Sequence, residues 1–248
     1  MKISVITATY NSAATVTDTL ASVRDQDHPD VEHIIVDGRS TDGTLGIVAG
    51  FPHVGKVLSE KDKGIYDAMN KGIGLATGDV IGILNSDDIY IGPAVLSAVA
   101  RAFANPSIMS VYADLQYVYP GDLDRVQRTW ITGPFDKRKF YYGWMPPHPT
   151  FFVRREVYDR VGLFNTGLRS AADYELMLRI LLKYGLPAQY IPRVIVKMRA
   201  GGVSNASLRN RLKANREDRL AWKLNGLKPY FFTLYLKPLR KITQFIKT

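Results

Sequence analysis

Residues 79–88 read Asp-Val-Ile-Gly-Ile-Leu-Asn-Ser-Asp-Asp (DVIGILNSDD), an apolar run that stops on two adjacent carboxylates. A run that is apolar at successive positions, with no alternation, suits a strand buried on both faces, the usual environment of a mostly parallel sheet. Working outward, two earlier segments have the same form. Residues 2–9 are β-branched and apolar and end in Tyr10-Asn11-Ser12, and residues 31–36 run into the polar turn 37–43, Asp-Gly-Arg-Ser-Thr-Asp-Gly. Helical spacing separates them: Val16, Leu20 and Val23 within 15–26, a short helix from Thr44, and Ile65, Ala68, Met69, Gly72, Ile73 and Ala76 along one face of 65–77. Residues 54–59 read as a third strand, and Pro93 opens a helix through 104. Repeated β-α-β units predict an α/β fold, a mostly parallel sheet flanked by helices. In such sheets ligands bind beyond the carboxyl ends of the strands. Three polar clusters, at 9–11, 37–42 and 85–88, fall at those ends and mark the expected site.

The second half changes character. Residues 108–119 and 125–131, joined across Pro120-Gly121-Asp122, predict a hairpin, and 145–149 (MPPHP) predict a rigid loop. A short strand over 150–154, a helix over 171–184 and a strand over 189–199 follow. The expected organisation is one unit over 1–206, with a nucleotide-binding half (1–105) and an acceptor-binding half (106–206), and a tail over 207–248.

Composition narrows the function classes. The 248 residues include no cysteine, which excludes disulfides and thiolate metal sites, and the four histidines lack the spacing of a zinc site. No stretch approaches the roughly 18 apolar residues that cross a bilayer. The net charge of +10 is concentrated: residues 209–248 hold eleven Lys/Arg against two acids, leaving 22 basic and 21 acidic residues on the other 208. Within the tail Phe232, Tyr235, Leu239, Ile242 and Ile246 recur at three- and four-residue spacing among the cations, the pattern of an interfacial helix on anionic headgroups. Packing of that stripe on the body or on a second subunit is the alternative, and an oligomer is compatible with it. A near-neutral body argues against nucleic acid as the partner. The expected location is cytoplasmic, peripheral on the membrane's cytoplasmic face.

Asp87 and Asp88 at a strand end repel one another unless a cation neutralises them. A hard divalent ion, Mg²⁺ or Mn²⁺, suits oxygen ligands and keeps positions open for phosphates. An Asx-rich turn is the simpler alternative; alignment with two other polar strand ends favours the site.

Four segments in order, ISVITATYNSA, IIVDGRSTDGT, EKDKGIYDAMNKGIGLATGDVIGILNSDD and HPTFFVRREVYDRVGLFNTGLRSAADYELMLRIL, resemble the successive motifs of family 2 glycosyltransferases with the GT-A fold. The resemblance implies an inverting transfer of one sugar from a nucleotide-sugar donor, UDP-linked in expectation, to an acceptor hydroxyl. It places Thr7, Ala8 and Thr9 along the base and ribose, and Asp37 on the uracil imide N–H. Lys63 and Lys71 fall toward the diphosphate or donor sugar. Asn85 and Ser86 open the DxD-type motif, Asp87 is its metal-ligating carboxylate and Asp88 adds charge beside it. Asn85 departs from the commoner acid and predicts weaker metal affinity. Asp173 is the implied catalytic base, with Glu175 positioning the helix; His148 lies where the family approaches the acceptor, Arg154 and Arg155 alternate across their strand so that only one can face a site, and 201–204 resembles a loop closing over the diphosphate. The processive members' Q-x-x-R-W motif is absent, which implies single-sugar transfer. Combined with the tail, this predicts a saccharide acceptor, including one carried on a polyprenyl lipid, in cell-surface polysaccharide or glycoconjugate synthesis. The competing readings are a nucleotidyltransferase, disfavoured because 7–12 lack glycine, and a non-catalytic scaffold of the same fold, whose only support is Asn85.

Overall fold

In the computed structural model, which describes residues 1–201 and 208–240, one nine-stranded mixed sheet organises the chain. Strands β1 (Ile3–Thr9), β2 (Val31–Asp37), β3 (Val54–Ser59) and β4 (Val80–Ile83) form its parallel half. Their order, β3-β2-β1-β4, continues through β8 (Phe152–Arg154), β6 (Ser110–Tyr119), β9 (Ala188–Arg199) and β5 (Asp88–Tyr90), and β7 (Asp122–Trp130) pairs with β6 as the expected hairpin. β8 is antiparallel to both β4 and β6, so β6 and β9 point the same way as the first four strands.

Every residue of β1 and β4 is buried, which is why both read as continuous apolar runs. Helices cover the two faces: α1 (Val16–Arg24), α2 (Thr44–Ala49), α3 (Ile65–Leu75), α4 (Val95–Ala102), α5 (Arg155–Val161) and α6 (Ala172–Met177). α3 turns Ala68, Met69, Gly72 and Ile73 inward, and a side chain at Gly72 would collide with Ile6 of β1. The helix expected over 171–184 is α-helical only as far as Met177 and continues as a π-helix over Leu178–Lys183, where Tyr184 N–H reaches the Arg179 carbonyl. The short helix α5, between β8 and the loop leading to α6, was not anticipated.

The two expected halves share the sheet, because β5 of the first pairs with β9 of the second. The tail is likewise no free appendage. Its helices α7 (Leu208–Leu224) and α8 (Thr233–Leu239) send Ala221, Trp222 and Leu234 into the same core as Ile6, Ile81 and Leu178. Trp222 is fully buried, the stabilising contribution of an aromatic side chain of that size being about 3 kcal/mol or more. Of the tail stripe, Phe232 is partly covered, Tyr235 and Leu239 face outward, and Ile242 and Ile246 lie outside the described residues. No described helix is long and apolar enough to cross a membrane.

Candidate active site

The carboxyl ends of β1, β2 and β4 are tied to one another. Thr9 Oγ1 donates to Asp37 Oδ1 at 3.0 Å, and the Asn11 N–H donates to Ser40 Oγ at 2.9 Å. The Ser12 and Ser86 hydroxyls meet at 2.8 Å, and Thr15 Oγ1 donates to the Ser86 carbonyl at 2.9 Å. Asn11 (φ 50°) and Arg39 (φ 63°) are the described non-glycine residues with left-handed backbone, and both stand at this rim. Strained backbone of this kind persists only where surrounding bonds fix it, and it concentrates at functional sites.

The network redistributes the expected roles. Asp37 is fully buried and accepts from Thr9 Oγ1, Ser40 N–H, Ser40 Oγ and, at 2.7 Å, Ser59 Oγ. Burial pushes its carboxyl upward, but the bonds from Ser40, Ser59 and Thr9 prevail and hold it below the usual range. Those four bonds brace the turn that follows β2. Thr7 is also buried, its hydroxyl 3.1 Å from His33 Nε2, so the side chains of Thr7 and Thr9 serve the protein interior and do not line the mouth. Ala8 is buried between them, and the Ser86 hydroxyl and carbonyl are both engaged within the rim. The groups that do face the mouth were not anticipated. Tyr10 is 65% exposed, and Asp62, from the loop after β3, lies over Gly38, where any side chain would collide with its Oδ2.

Asp87 and Asp88 begin the next wall. Asp88 is fully buried as the first residue of β5 and accepts from Asn85 Nδ2 at 2.8 Å, while its Oδ1 has no hydrogen-bond partner. Burial raises the Asp87 carboxyl, with the Arg199 charge opposing it; burial and then the Asp87 charge raise Asp88 well above the carboxylate range. Arg199, near the end of β9, donates instead to the Asp87 carbonyl at 2.7 Å and to Asp18. Asp88 therefore keeps an unpartnered oxygen beside the half-buried Asp87, and Arg199 offsets their charge only in part, a donor set that fits a hard divalent cation. No group of three or more His, Asp or Glu able to hold a metal occurs among the described residues, so further ligands would come from substrate phosphate and water.

On the acceptor side, Asp173 lies in the first turn of α6 and accepts from Tyr66 Oη at 3.1 Å. Tyr66 stacks on Phe164, and Phe164 meets His148 edge-on at 5.8 Å between ring centroids. Burial lowers the His148 imidazole against the opposing charge of Asp173. Glu175 instead pairs with Arg179, which also holds the Val161 and Leu163 carbonyls, so its role is structural. A cleft of about 490 Å³ beside Tyr66 is lined by Lys63, Asp67, Thr166, Leu168 and Arg169. Lys63 thus borders the site, whereas Lys71 is bound by Glu60 at 2.8 Å, Asp67 at 3.4 Å and the Lys61 carbonyl. Burial raises the Tyr117 phenol of β6 against the Arg128 guanidinium 3.6 Å over its ring, with the Asp88 and Asp173 charges adding smaller upward pushes.

Neither expected arginine reaches this site. Arg154 holds the Ile108 and Phe103 carbonyls, and Arg155 holds that of Gly78 at the opposite edge of the sheet. Residues 202–204 of the expected closing loop lie outside the described residues.

Comparison with known proteins is consistent with this arrangement. The family model Glycosyl transferase family 2 matches residues 4–162. A PGL/p-HBAD biosynthesis glycosyltransferase of Mycobacterium bovis is 31% identical over 207 residues, spanning 82% of this chain and 78% of the relative. A glycosyltransferase of Mycobacterium tuberculosis, itself uncharacterized, is 34% identical over 183 residues, spanning 73% and 69%. Among solved structures, S. aureus TarS (residues 1–349) in complex with UDP-GlcNAc superposes with a TM-score of 0.71 at 20% identity, covering 95% of this chain and 69% of that one. The mannosyltransferase PcManGT from Pyrobaculum calidifontis, in complex with GDP-Man and Mn²⁺, gives 0.68 at 21% identity, covering 95% and 68%. The sheet, the rim and these matches together make the chain a GT-A glycosyltransferase belonging to glycosyl transferase family 2.

Proposed function

We propose that the protein transfers a single sugar, with inversion, from a nucleoside-diphosphate sugar to an acceptor hydroxyl. The observation that carries this reading is the pair of carboxylate sites on the sheet: Asp87 and Asp88, with one Asp88 oxygen unpartnered, follow β4 at its carboxyl end, and Asp173 accepts from Tyr66 beside the cleft that Lys63 lines. The acceptor hydroxyl attacks the anomeric carbon as its proton passes to Asp173, and the bond from that carbon to the diphosphate oxygen breaks. The bonding electrons leave on the nucleoside diphosphate, and one displacement inverts the anomeric configuration. Tyr66 holds the Asp173 carboxylate in place through its hydroxyl. A divalent ion on Asp87 and Asp88 would neutralise charge on the departing diphosphate.

The donor base is read beside Tyr10 by Asp62, whose Oδ1 accepts from Gly64 N–H while its Oδ2 lies over Gly38, whereas Asp37 accepts four hydrogen bonds from the protein. A carboxylate there accepts from a ring N–H, which uracil, thymine and guanine present and cytosine lacks. Uridine remains the favoured donor; the UDP-GlcNAc complex of TarS supports it, and the GDP-Man and Mn²⁺ complex of PcManGT supports metal use.

The acceptor is a saccharide at an anionic membrane surface, a lipid-linked one in cell-surface glycoconjugate assembly, and the enzyme works from the cytoplasmic side. Support comes from Phe231, 87% exposed, with Tyr142, Tyr230, Tyr235 and Leu239 exposed around it and Lys228 and Arg240 nearby. Phe231→Ser with Tyr235→Ser should weaken sedimentation with anionic liposomes; equal sedimentation of both proteins would remove the membrane from this reading. The reaction itself is tested by Asp173→Asn. UDP affinity by calorimetry should persist while turnover falls by about 10²–10⁴-fold. Full activity in that variant would eliminate Asp173 as the base.

A further inference from the structure

We infer that the C-terminal helices are a strut of the active site, with Glu217 the positioning residue that sets where Asp173 stands. This rests on the reading of Asp173 as the base. Glu217 Oε2 accepts three hydrogen bonds from the segment just ahead of α6: Arg169 N–H at 3.0 Å, Ser170 N–H at 2.7 Å and Ser170 Oγ at 2.8 Å. On the other side of Asp173, Trp222 Nε1 donates to Tyr174 Oη at 2.9 Å. Asn225 Nδ2 donates to the Glu175 carbonyl at 3.2 Å and to its Oε1 at 3.0 Å. Lys237 lies 3.6 Å over the Tyr174 ring and pairs with Asp218 at 2.7 Å. Residues 169, 170, 174 and 175 are thus each held by a side chain from 217–237.

The backbone accommodates this contact. α8 crosses directly over Gly143 (φ 75°), where a Cβ would come within 2.5 Å of the Lys237 nitrogen. Only glycine gives both that conformation and that approach. The helix that needs support is short: α6 has six α-helical residues before it passes into the π-helix over Leu178–Lys183, and no side-chain cap of its own. A helix of that total length is marginal by itself, so the direction of Asp173 depends on tertiary contacts. Glu217 supplies a carboxylate to two backbone N–H groups at the helix entrance, where negative charge is favoured.

The test uses the full chain and needs no acceptor. Glu217→Ala, Glu217→Gln and Trp222→Phe are compared with the parent by hydrogen exchange, UDP calorimetry and UDP release from UDP-glucose, UDP-galactose and UDP-GlcNAc with water as acceptor. Glu217→Ala should speed exchange over 168–177 by about tenfold or more, leave 3–9 and 80–90 unchanged, and keep UDP affinity. Release of UDP from whichever donor the parent hydrolyses should fall by about 10–100-fold, as a displaced catalytic group costs. Glu217→Gln, which keeps an accepting oxygen, should recover most of it. Trp222→Phe, which keeps the packing and loses the bond to Tyr174, should show a smaller loss of the same kind should the alanine variant fail to fold. Unchanged exchange at 168–177, or acceleration spread evenly over the sheet, would overturn the proposal. Asp173→Asn, run in parallel, distinguishes the failures: activity retained there refutes the base, whereas activity lost there but kept in Glu217→Ala refutes the strut alone.

Discussion

Replacing Asp88 with asparagine should stabilise the protein without ligands and remove its ability to be stabilised by them. The side chain is fully buried, one oxygen has no partner, and burial followed by the Asp87 charge raises its carboxyl. A folded-state pKa above the unfolded value means that stability is fully present below the unfolded value and is lost as pH rises through the folded one. At neutral pH the fold therefore works against an ionised Asp88. Asparagine still accepts from Asn85 and its amide nitrogen takes the place of the unpartnered oxygen, so the gain comes from removing the charge that burial disfavours, about 1–3 kcal/mol. At about 2–4 °C per kcal/mol for a chain of this size, the melting temperature should rise by about 2–12 °C in chelator. Mn²⁺ with UDP at a hundred times the dissociation constant should then add about 2.7 kcal/mol to the parent and little to the variant, closing the gap between them or reversing it. Scanning calorimetry in the two buffers measures both effects. A variant that melts below the parent in chelator, or one that gains as much from Mn²⁺ and UDP, would refute the assignment of this pair to the cation.

Two further expectations follow from other parts of the structure. Asp62→Asn should weaken UDP binding by about 10–100-fold, the worth of a hydrogen bond to a charged group, and narrow the preference over CDP. Calorimetry with both nucleotides decides it, and an unchanged ratio removes Asp62 from base recognition. His33, buried against Thr7 and 3.1 Å from His53, is lowered to about 3 by burial and then by the His53 charge. Its folded pKa lies below the unfolded one, so stability is complete above about pH 6.5 and falls as the pH drops toward 3. Denaturant unfolding should show a loss of about 2 kcal/mol between pH 7 and pH 5, and His33→Gln should flatten that dependence. A parent whose stability is flat over that range would mean that this histidine does not stay neutral in the fold.

The parallel half of the sheet was legible because burial on both faces leaves a direct mark in sequence, an apolar run that stops at polar residues. The site's location followed, since strand ends in such sheets converge. Individual roles were harder to read because hydrogen bonds between distant segments leave no local trace. Nothing around Asp37 announces that Thr9, Ser40 and Ser59 all point at it, and without that knowledge its buried carboxylate resembles a free one. Asp62 and Tyr10 were overlooked for the converse reason: both side chains close over Gly38, a side-chain-free position whose neighbours come from distant segments, and that is a three-dimensional fact. The helix α5 is short and carries charge at four of its seven positions, Arg155, Glu156, Asp159 and Arg160, so its buried Val157, Tyr158 and Val161 made too weak a period. In the tail, the stripe of aromatics suggested a surface, while the anchoring residues are Trp222, Asn225 and Glu217. A tryptophan and an asparagine closing an otherwise basic helix were the available signal, and charge density obscured it.

Asn85 is best understood with Asp88 and Arg199 in view. An acid at 85 would set a third carboxylate against two that burial already raises, in a wall where Arg199 spends its donors on the Asp87 carbonyl and on Asp18. Asparagine does the opposite: its Nδ2 donates to Asp88 Oδ2, lowers that carboxyl and fixes which oxygen stays free. The side chain thus gives up one negative charge toward a metal and gains a hydrogen bond that orients the acid behind it. On the proposed cation site, weaker resting affinity follows from the charge count, and a preset geometry follows from the bond. The two are compatible if the ion arrives with the donor, because the diphosphate then brings the negative charge that Asn85 does not.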